Sequence, residues 1–329
     1  MKAIQVERFG GPECLTLTDV PVPHPGPGEV LVRLAHAGVN YIDVYMRNGS
    51  YARSHTYKTP LPMTLGMEGC GCIEQLGDGV TGLAIGETVA YCLARGSYAE
   101  YAVAPAWKVV PVPAGTDPAV ATALMLQGST AHYLTHSAFP LKRGDVCLVH
   151  AGAGGVGQLL IQLAKRAHAT VIATVGNADK ARIAHERGAD HVILYRDVDF
   201  GDEVRRLTDG RGADVVYDSV GRDTLPRSLR ALRRRGVCIS FGASSGQPDA
   251  VSVLDLAEAG SVFLTRPHLA DYMASTEEIR ARASDLFAAH RDGTLHVAID
   301  KKFPLAQAAA AHVTIEGRAT RGKLLLDIA

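Results

Sequence analysis

The segment Val146-Cys147-Leu148-Val149-His150-Ala151 is a short apolar run that leads directly into Gly152-Ala153-Gly154-Gly155-Val156-Gly157, and a helical pattern over Val156–His168 follows. Strand, glycine turn and helix in that order constrain the chain more than any other feature. Glycines at the spacing G-x-G-x-x-G let the backbone reverse sharply and approach a ligand closely, because no β-carbon stands in the way. The helix that opens there presents unpaired N–H groups and the positive end of its dipole, which suits a phosphate. Glycine supplies 34 of 329 residues, so the spacing alone is weak; its place between strand and helix gives it force. Ala151, Gly152, Gly154, Gly155, Val156 and Gly157 are the expected phosphate-binding positions.

The turn belongs to a longer rhythm. Strand patterns at Val146–Ala151, Thr170–Thr174, His191–Tyr195, Asp214–Asp218, Gly236–Phe241 and Ser261–Thr265 alternate with helical stretches such as Ala178–Arg187 and Thr224–Arg234. Short apolar strands about 20 residues apart, joined by helices, predict an α/β fold with a Rossmann doubly wound six-stranded parallel sheet. A pyrophosphate-bearing dinucleotide is the ligand such a turn serves. NAD-specific versions place an acid at the end of the second strand, about 20 residues on, to hold the ribose 2′-hydroxyl. Here Thr170–Val175 ends at Gly176 with no acid, and Lys180 and Tyr195 lie beyond. A lysine can pair with a 2′-phosphate and a tyrosine can hydrogen-bond it, so charge favours NADPH. Asp179 is expected to face solvent, and Arg182 is as readily a solvated helix residue as a phosphate ligand.

The first third reads differently. Cys14–Val20, Glu29–Ala37, Gly69–Leu76, Glu87–Tyr91 and Ser97–Val103 are short β patterns punctuated by glycine and proline, as in a compact barrel-like domain. Prolines at 21, 23, 25 and 27 cannot donate to a ladder, so Pro21–Gly28 is a connector. After the sixth parallel strand come a helix at Thr276–Arg291 with a Ser275 or Thr276 cap, a strand at His296–Ile299, a helix around Leu305–Ile315 and a strand at Lys323–Ile328. With no crossover unit left to join, this tail is expected to pack back on the first domain.

Composition narrows the function classes. The 34 basic and 34 acidic residues balance, which leaves no overall electrostatic attraction for nucleic acid or an anionic membrane. No apolar run approaches the roughly 18 residues of a membrane span, and Met1–Val6 reads as a strand rather than a signal peptide. Six scattered cysteines (14, 70, 72, 92, 147 and 238) match neither a disulfide scaffold nor a zinc ribbon. Reduced, buried thiols in a cytoplasmic protein are the expectation.

Several further segments carry a resemblance: Gly38-Val39-Asn40-Tyr41-Ile42-Asp43-Val44-Tyr45, Gly66-Met67-Glu68-Gly69, Gln127-Gly128-Ser129-Thr130-Ala131, Val216-Tyr217-Asp218-Ser219-Val220-Gly221-Arg222-Asp223, Ser240-Phe241-Gly242, Thr265-Arg266-Pro267 and Arg318-Ala319-Thr320. With the glycine turn, over essentially the whole chain, they resemble the zeta-crystallin type of quinone oxidoreductase in the medium-chain dehydrogenase/reductase superfamily. The resemblance implies a GroES-like catalytic domain from 1–123 and 268–329, with the Rossmann NADPH-binding domain, 124–267, inserted between. It also implies a homodimer or tetramer joined through the edge strand around Ser261–Thr265. Zinc-dependent relatives use a cysteine and a Gly-His-Glu histidine where this chain has Asp43 and Met67, and the four-cysteine zinc lobe is missing. A thioether is a poor stand-in for imidazole, so no metal is expected.

By the same resemblance Asn40, Tyr45, Tyr51, Gln127 and Thr130 surround the nicotinamide and the acceptor, with Asn40 and Tyr45 as donors to a quinone oxygen. Tyr41, Ser219, Val220, Phe241, Gly242, Thr265 and Arg318 complete the cofactor contacts, with Arg321 and Lys323 less firmly placed. The implied activity is NADPH-dependent reduction of a quinone without metal. Reduction of an activated carbon–carbon double bond in an enal or enone competes with it. A non-catalytic NADPH-binding protein, crystallin-like or RNA-binding, is a reading of another class. The loop at 52–58 departs from the proline-rich family pattern, which leaves the acceptor open.

Overall fold

The computed structural model describes residues 1–328, which divide into two units: 1–129, 273–292 and 297–328 form one, and 130–272 with 293–296 the other. In chain order the first unit contributes β1 (Lys2–Val6), β2 (Thr16–Asp19), β3 (Glu29–Val39), β4 (Met63–Thr64), β5 (Glu68–Leu76), β6 (Thr88–Cys92), β7 (Tyr101–Pro105) and β8 (Val109–Pro111). The long strand β3 organises them. Val30, Val32 and Leu34 alternate along it and point into a core with Ile73, Val89, Tyr91, Ala102 and Val109. It pairs with β5 along its length and with β7 over Glu29–Arg33, and two register shifts against β5 bend the sheet. The expected strand at 97–103 begins only at Tyr101, because Tyr98 and Glu100 donate instead to the carbonyls of Leu65 and Lys2.

The second unit holds β9 (Val146–Val149), β10 (Thr170–Val175), β11 (His191–Leu194), β12 (Ala213–Asp218), β13 (Leu232–Ser240) and β14 (Phe263–Thr265). All their pairings are parallel, in the order β11-β10-β9-β12-β13-β14. Strands covered on both faces need apolar side chains throughout, as Ala213–Asp218, buried at every position, illustrates. The helix expected to run to Arg234 stops at Ala231, and β13 starts at Leu232. Leu232 is fully buried and pairs with Ala213; another helical turn would lift it out of that core.

The chain then returns to the first unit through the helix Thr276–Arg291, β15 (Ile299–Pro304), the helix Ala308–Glu316 and β16 (Lys323–Asp327). Strand β16 lies between β15 and β3 in the order β15-β16-β3-β5-β6-β8. The strand expected from His296 begins only at Ile299, because the Gln162 amide holds His296 within the nucleotide-type unit by two backbone bonds of 2.7 and 3.0 Å. The unit boundaries also differ from those expected, falling after Ser129 and Tyr272. The helix Pro118–Ala123 packs on β3, β5 and β6, which keeps the segment after 123 with the first unit. All six cysteines are free and five are buried; burial pushes the Cys70 thiol up to about 12. No helix among the described residues is long and apolar enough to cross a membrane.

Gly71 marks the tightest approach of β5 to β3, since a β-carbon there would overlap the Arg33 carbonyl oxygen. Gly71→Ala is expected to destabilise the fold by about 1–3 kcal/mol, read as a lower urea midpoint at an unchanged m-value.

Candidate functional site

Within the nucleotide-type unit the glycine turn follows β9. Ala151 takes a left-handed φ of 53°, and the Gly152 and Gly154 amides donate to the carbonyls of Thr174 and Ala151. A β-carbon on Gly157 would collide with the Ala151 carbonyl, and one on Gly152 would stand 2.8 Å from the Ala173 methyl. Gly154 caps the helix Gly155–Arg166 without a side chain, so the first amides of that helix face outward unscreened. The cradle is one a β-carbon would fill, and it fits a pyrophosphate.

The positions expected to select the cofactor's charge lie beside it. Strand β10 ends at Val175, and Tyr195 follows the neighbouring β11, its amide donating to the Val175 carbonyl at 3.2 Å. The Tyr195 hydroxyl lies over Gly176, 3.0 Å from where a β-carbon would sit. Asn177 caps the helix Ala178–Glu186 through the Lys180 amide, which places half-buried Lys180 in its first turn. No acid occupies the strand end, and Asp179 is exposed as expected.

The remaining strands end in ordered turns. Asp218 Oδ1 accepts from the Val220 and Gly221 amides at 2.9 and 3.0 Å, and the Asp218 carbonyl accepts from Phe241 and Gly242. A β-carbon on Gly242 would press on the Ser219 backbone at 2.6 Å, so those two turns lie in direct contact. Thr265 closes β14 and is exposed. Thr130 is buried on a short helix of the same unit.

Behind the turn lies a buried chain that sequence reasoning missed. His150 Nδ1 sits 2.8 Å from Thr174 Oγ1 and Nε2 sits 3.0 Å from Ser228 Oγ, while Ser228 and Thr224 donate to Asp218. Because Ser228 spends its proton on Asp218, it accepts from Nε2, which fixes the imidazole tautomer. Burial holds His150 below the usual histidine range and therefore neutral. One network thus ties β9, which leads into the glycine turn, to the Ser219–Val220 turn.

In the GroES-like unit Asn40 precedes the helix Tyr41–Arg47 and is buried. Its Oδ1 accepts from Lys323 Nζ at 2.7 Å, and its Nδ2 donates to Glu68 Oε2 at 2.9 Å and to the Gly38 carbonyl at 3.3 Å. Lysine offers only donors and a carboxylate only acceptors, so the amide orientation is fixed. Glu68 also pairs with Lys323 and accepts from the Leu126 amide at 2.5 Å, with neither charge reaching solvent. Both side-chain amide hydrogens of Asn40, expected to serve an acceptor, are committed to partners inside the protein here.

A second buried chain runs beside it. Arg47 NH1 donates to His312 Nδ1 at 2.9 Å, so His312 Nε2 carries the proton and donates to Tyr98 Oη at 3.1 Å; Tyr98 then donates to Asp43 Oδ2 at 3.2 Å. Asp43 Oδ2 also accepts from the Asn40 backbone N–H, whereas buried Oδ1 has no partner. Burial pushes the Asp43 carboxyl up to about 7 and drives His312 down to about 3, with the Arg47 charge adding to the latter. Among the described residues no group of three or more His, Cys, Asp or Glu is placed to share a metal ion.

The tyrosines form a ladder: Tyr41–Tyr45, Tyr45–Tyr51 and Tyr51–Tyr57 rings lie 5.9, 5.4 and 5.3 Å apart, the last pair stacked. Tyr45 is buried and Tyr51 half-buried, and the Tyr41 hydroxyl donates to the Ile315 carbonyl. Tyr57, which extends the ladder into the 52–58 loop, went unremarked in the sequence. Gln127 lies in a π-helical turn, Leu124–Gly128. It is buried, yet its amide has no hydrogen-bond partner among the described residues. The amide atoms keep contact with solvent and so are open to a ligand. Arg318 is exposed with a left-handed φ of 53°.

Comparison with known proteins agrees with this organisation. Residues 26–114 match the family model for the alcohol dehydrogenase GroES-like domain, and 155–289 that for zinc-binding dehydrogenases. A 2-haloacrylate reductase of a Burkholderia species is 42% identical, with 98% of each chain covered. Quinone oxidoreductase 1 of Escherichia coli is 38% identical over 98% of each. The solved structure of Escherichia coli quinone oxidoreductase with NADPH superposes with a TM-score of 0.96 at 37% identity, and a mycobacterial protein complexed with NADPH does so at 0.96 and 43%, each over 100% of both chains. A GroES-like unit interrupted by a Rossmann unit defines a medium-chain dehydrogenase/reductase. Within that class the chain belongs to the quinone oxidoreductase family.

The Asp43 shift has a pH consequence. Its folded pKa of about 7 exceeds the ordinary carboxyl value of 3.8, so between those pH values the folded state keeps a proton that the unfolded state releases. Stability is therefore lost through Asp43 as pH rises across that window. Unfolding free energies of Asp43→Asn minus those of the parent should rise from about pH 4 to pH 7; a flat or falling difference contradicts the assignment.

Proposed function

We propose that this chain is an NADPH-dependent reductase that passes reducing equivalents to a quinone without a metal ion. The observation that carries the cofactor choice is the end of β10, where Gly176, Tyr195 and the first-turn Lys180 meet with no acid among them. NADPH, when bound, supplies a hydride. The turn Gly152–Gly157 with its helix amides holds the pyrophosphate, Lys180 and Tyr195 hold the 2′-phosphate, and Ser219, Val220, Phe241, Gly242 and Thr265 hold ribose and nicotinamide. Tyr41 and Arg318 are assigned supporting cofactor contacts. The two NADPH-complexed relatives support this reading.

On the acceptor side Tyr45 and Tyr51 offer flat apolar faces to a quinone ring. The unpaired Gln127 amide is assigned donation to the oxygen that becomes negative as the quinone is reduced, with Thr130 beside it in sequence. Asn40 serves as a positioning residue, because its hydrogens are committed to Glu68 and Gly38. Met67 and Asp43 stand where zinc-dependent relatives carry ligands, and a thioether beside a carboxyl that burial keeps close to half-protonated at neutral pH makes a poor zinc site. The edge strand β14, with Phe263 exposed, is assigned to homodimer formation.

A second reading, reduction of an activated carbon–carbon double bond, is favoured by the 2-haloacrylate reductase at 42% identity. Following NADPH absorbance with a 1,4-naphthoquinone and, separately, 2-chloroacrylate separates the two. We expect kcat/KM for the quinone to exceed that for the haloacrylate at least tenfold; turnover of the haloacrylate alone overturns the quinone assignment.

Lys180→Ala should raise KM for NADPH by about tenfold or more, the loss of one charge-assisted contact, and leave KM for NADH nearly unchanged. Equal effects on both cofactors would remove Lys180 from the 2′-phosphate site.

A further inference from the structure

The nucleotide-type unit carries a second polar cavity that none of this uses. It is an open pocket of about 540 Å³, lined by Arg205, Arg211, Arg233, Arg234, Arg235 and Glu258 together with Gly210, Ala259 and Gly260. The cavity opens at the N-terminal ends of β12, β13 and β14, whereas the glycine turn, Gly176, Ser219 and Gly242 follow C-terminal strand ends. Strand β13 runs nine residues from one edge to the other, about 26 Å at 3.3 Å per residue, so the cavity is distinct from the dinucleotide cradle.

Its arginines differ in what already neutralises them. Arg205 is built into the floor, donating to the carbonyls of Gly210, Arg211, Arg230 and Leu232. Arg211 and Arg233 share the buried Asp214 carboxylate, Arg211 through both terminal nitrogens and Arg233 through Nε. The side chains of Arg234 and Arg235 have no hydrogen bond or ion pair among the described residues. Arg235 holds a left-handed φ of 58°, fixed by its amide bond to the Gly260 carbonyl, and Arg234 packs against Gly260, where a β-carbon would stand 3.3 Å from it. Both guanidinium stems thus rise from a fixed backbone. Five guanidiniums face two carboxylates, Asp214 and Glu258, which leaves three positive charges concentrated in one cavity of a chain whose net charge is zero.

We propose that this cavity binds a small polyanion carrying two or more phosphate groups. Guanidinium forks match phosphate oxygens in pairs, and a rigid cluster with an uncompensated triple charge suits a polyphosphate better than a single carboxylate. The cavity is large enough for such a group, either free or as the headgroup of a phosphorylated lipid.

Sodium tripolyphosphate, titrated calorimetrically into the full chain at low ionic strength, is the direct probe. One molecule should bind per chain, with an affinity unchanged by excess NADPH or by Lys180→Ala, and weakened severalfold by added salt. The exposed double variant Arg234→Gln/Arg235→Gln should bind at least tenfold more weakly, with the thermal midpoint of the parent. Glu258→Gln, which removes the cavity's own exposed carboxylate, should bind severalfold more tightly. Absent or non-saturable binding, competition by NADPH, or affinities unmoved in both variants would overturn the proposal. Sedimentation with phosphatidylinositol-4-phosphate vesicles, lost in the double variant, would identify the lipid headgroup as the source of the phosphates. Tripolyphosphate binding without sedimentation identifies a soluble ligand, and sedimentation without tripolyphosphate binding overturns the site.

Discussion

An ammonium and a carboxylate with no route to solvent must be placed against each other or the fold fails, and Lys323 and Glu68 stand in that relation in the GroES-like unit. The cluster they form draws on four separated stretches: Asn40 ahead of its helix, Glu68 opening β5, the Leu126 amide in the π-helical turn and Lys323 opening β16. Gly38 completes it, because a β-carbon there would overlap both charged groups. Removing either partner strands the other in a dry interior, which typically costs about 3–5 kcal/mol. The cluster ties β5, β16, Asn40 and the turn that carries Gln127 to one another.

The companion chain Arg47–His312–Tyr98–Asp43 shows the same economy with protons. Arginine, a donor only, sets the histidine tautomer, and each hydroxyl or ring nitrogen then has one available role. The Rossmann unit repeats the device with Thr174, His150, Ser228 and Asp218, so each unit has a directed, buried hydrogen-bond chain. The histidines of both chains stay neutral because burial penalises the charge.

The α/β rhythm was legible because strands buried on both faces must be apolar runs, and the glycine turn because close backbone approach admits few other residues. The cofactor choice was legible for a similar reason, since an acid at the end of β10 would have been visible. Other features depend on contacts remote in sequence. Asn40 stands in a motif that suggests an open donor, yet its amide is consumed by Glu68 and Lys323, 28 and 283 residues away. The helix before β13 reads as continuing through Arg233 and Arg234, good helix formers, but the pairing of Leu232 with Ala213 outweighs that local preference. A neutral total charge likewise conceals a cavity of arginines at the N-terminal strand ends of a sheet whose C-terminal strand ends carry the glycine turn.

The placement of β16 between β15 and β3 carries a temporal meaning. During synthesis Glu68 is made 255 residues before Lys323, a delay of roughly 10–50 s at ordinary elongation rates. The Rossmann segment, nearly contiguous, can fold as it leaves the ribosome, while the sheet that precedes it in sequence lacks both its cation and an interior strand. The nascent β-rich segment must keep the Glu68 carboxylate hydrated through that interval, so the part of the protein made first is completed last.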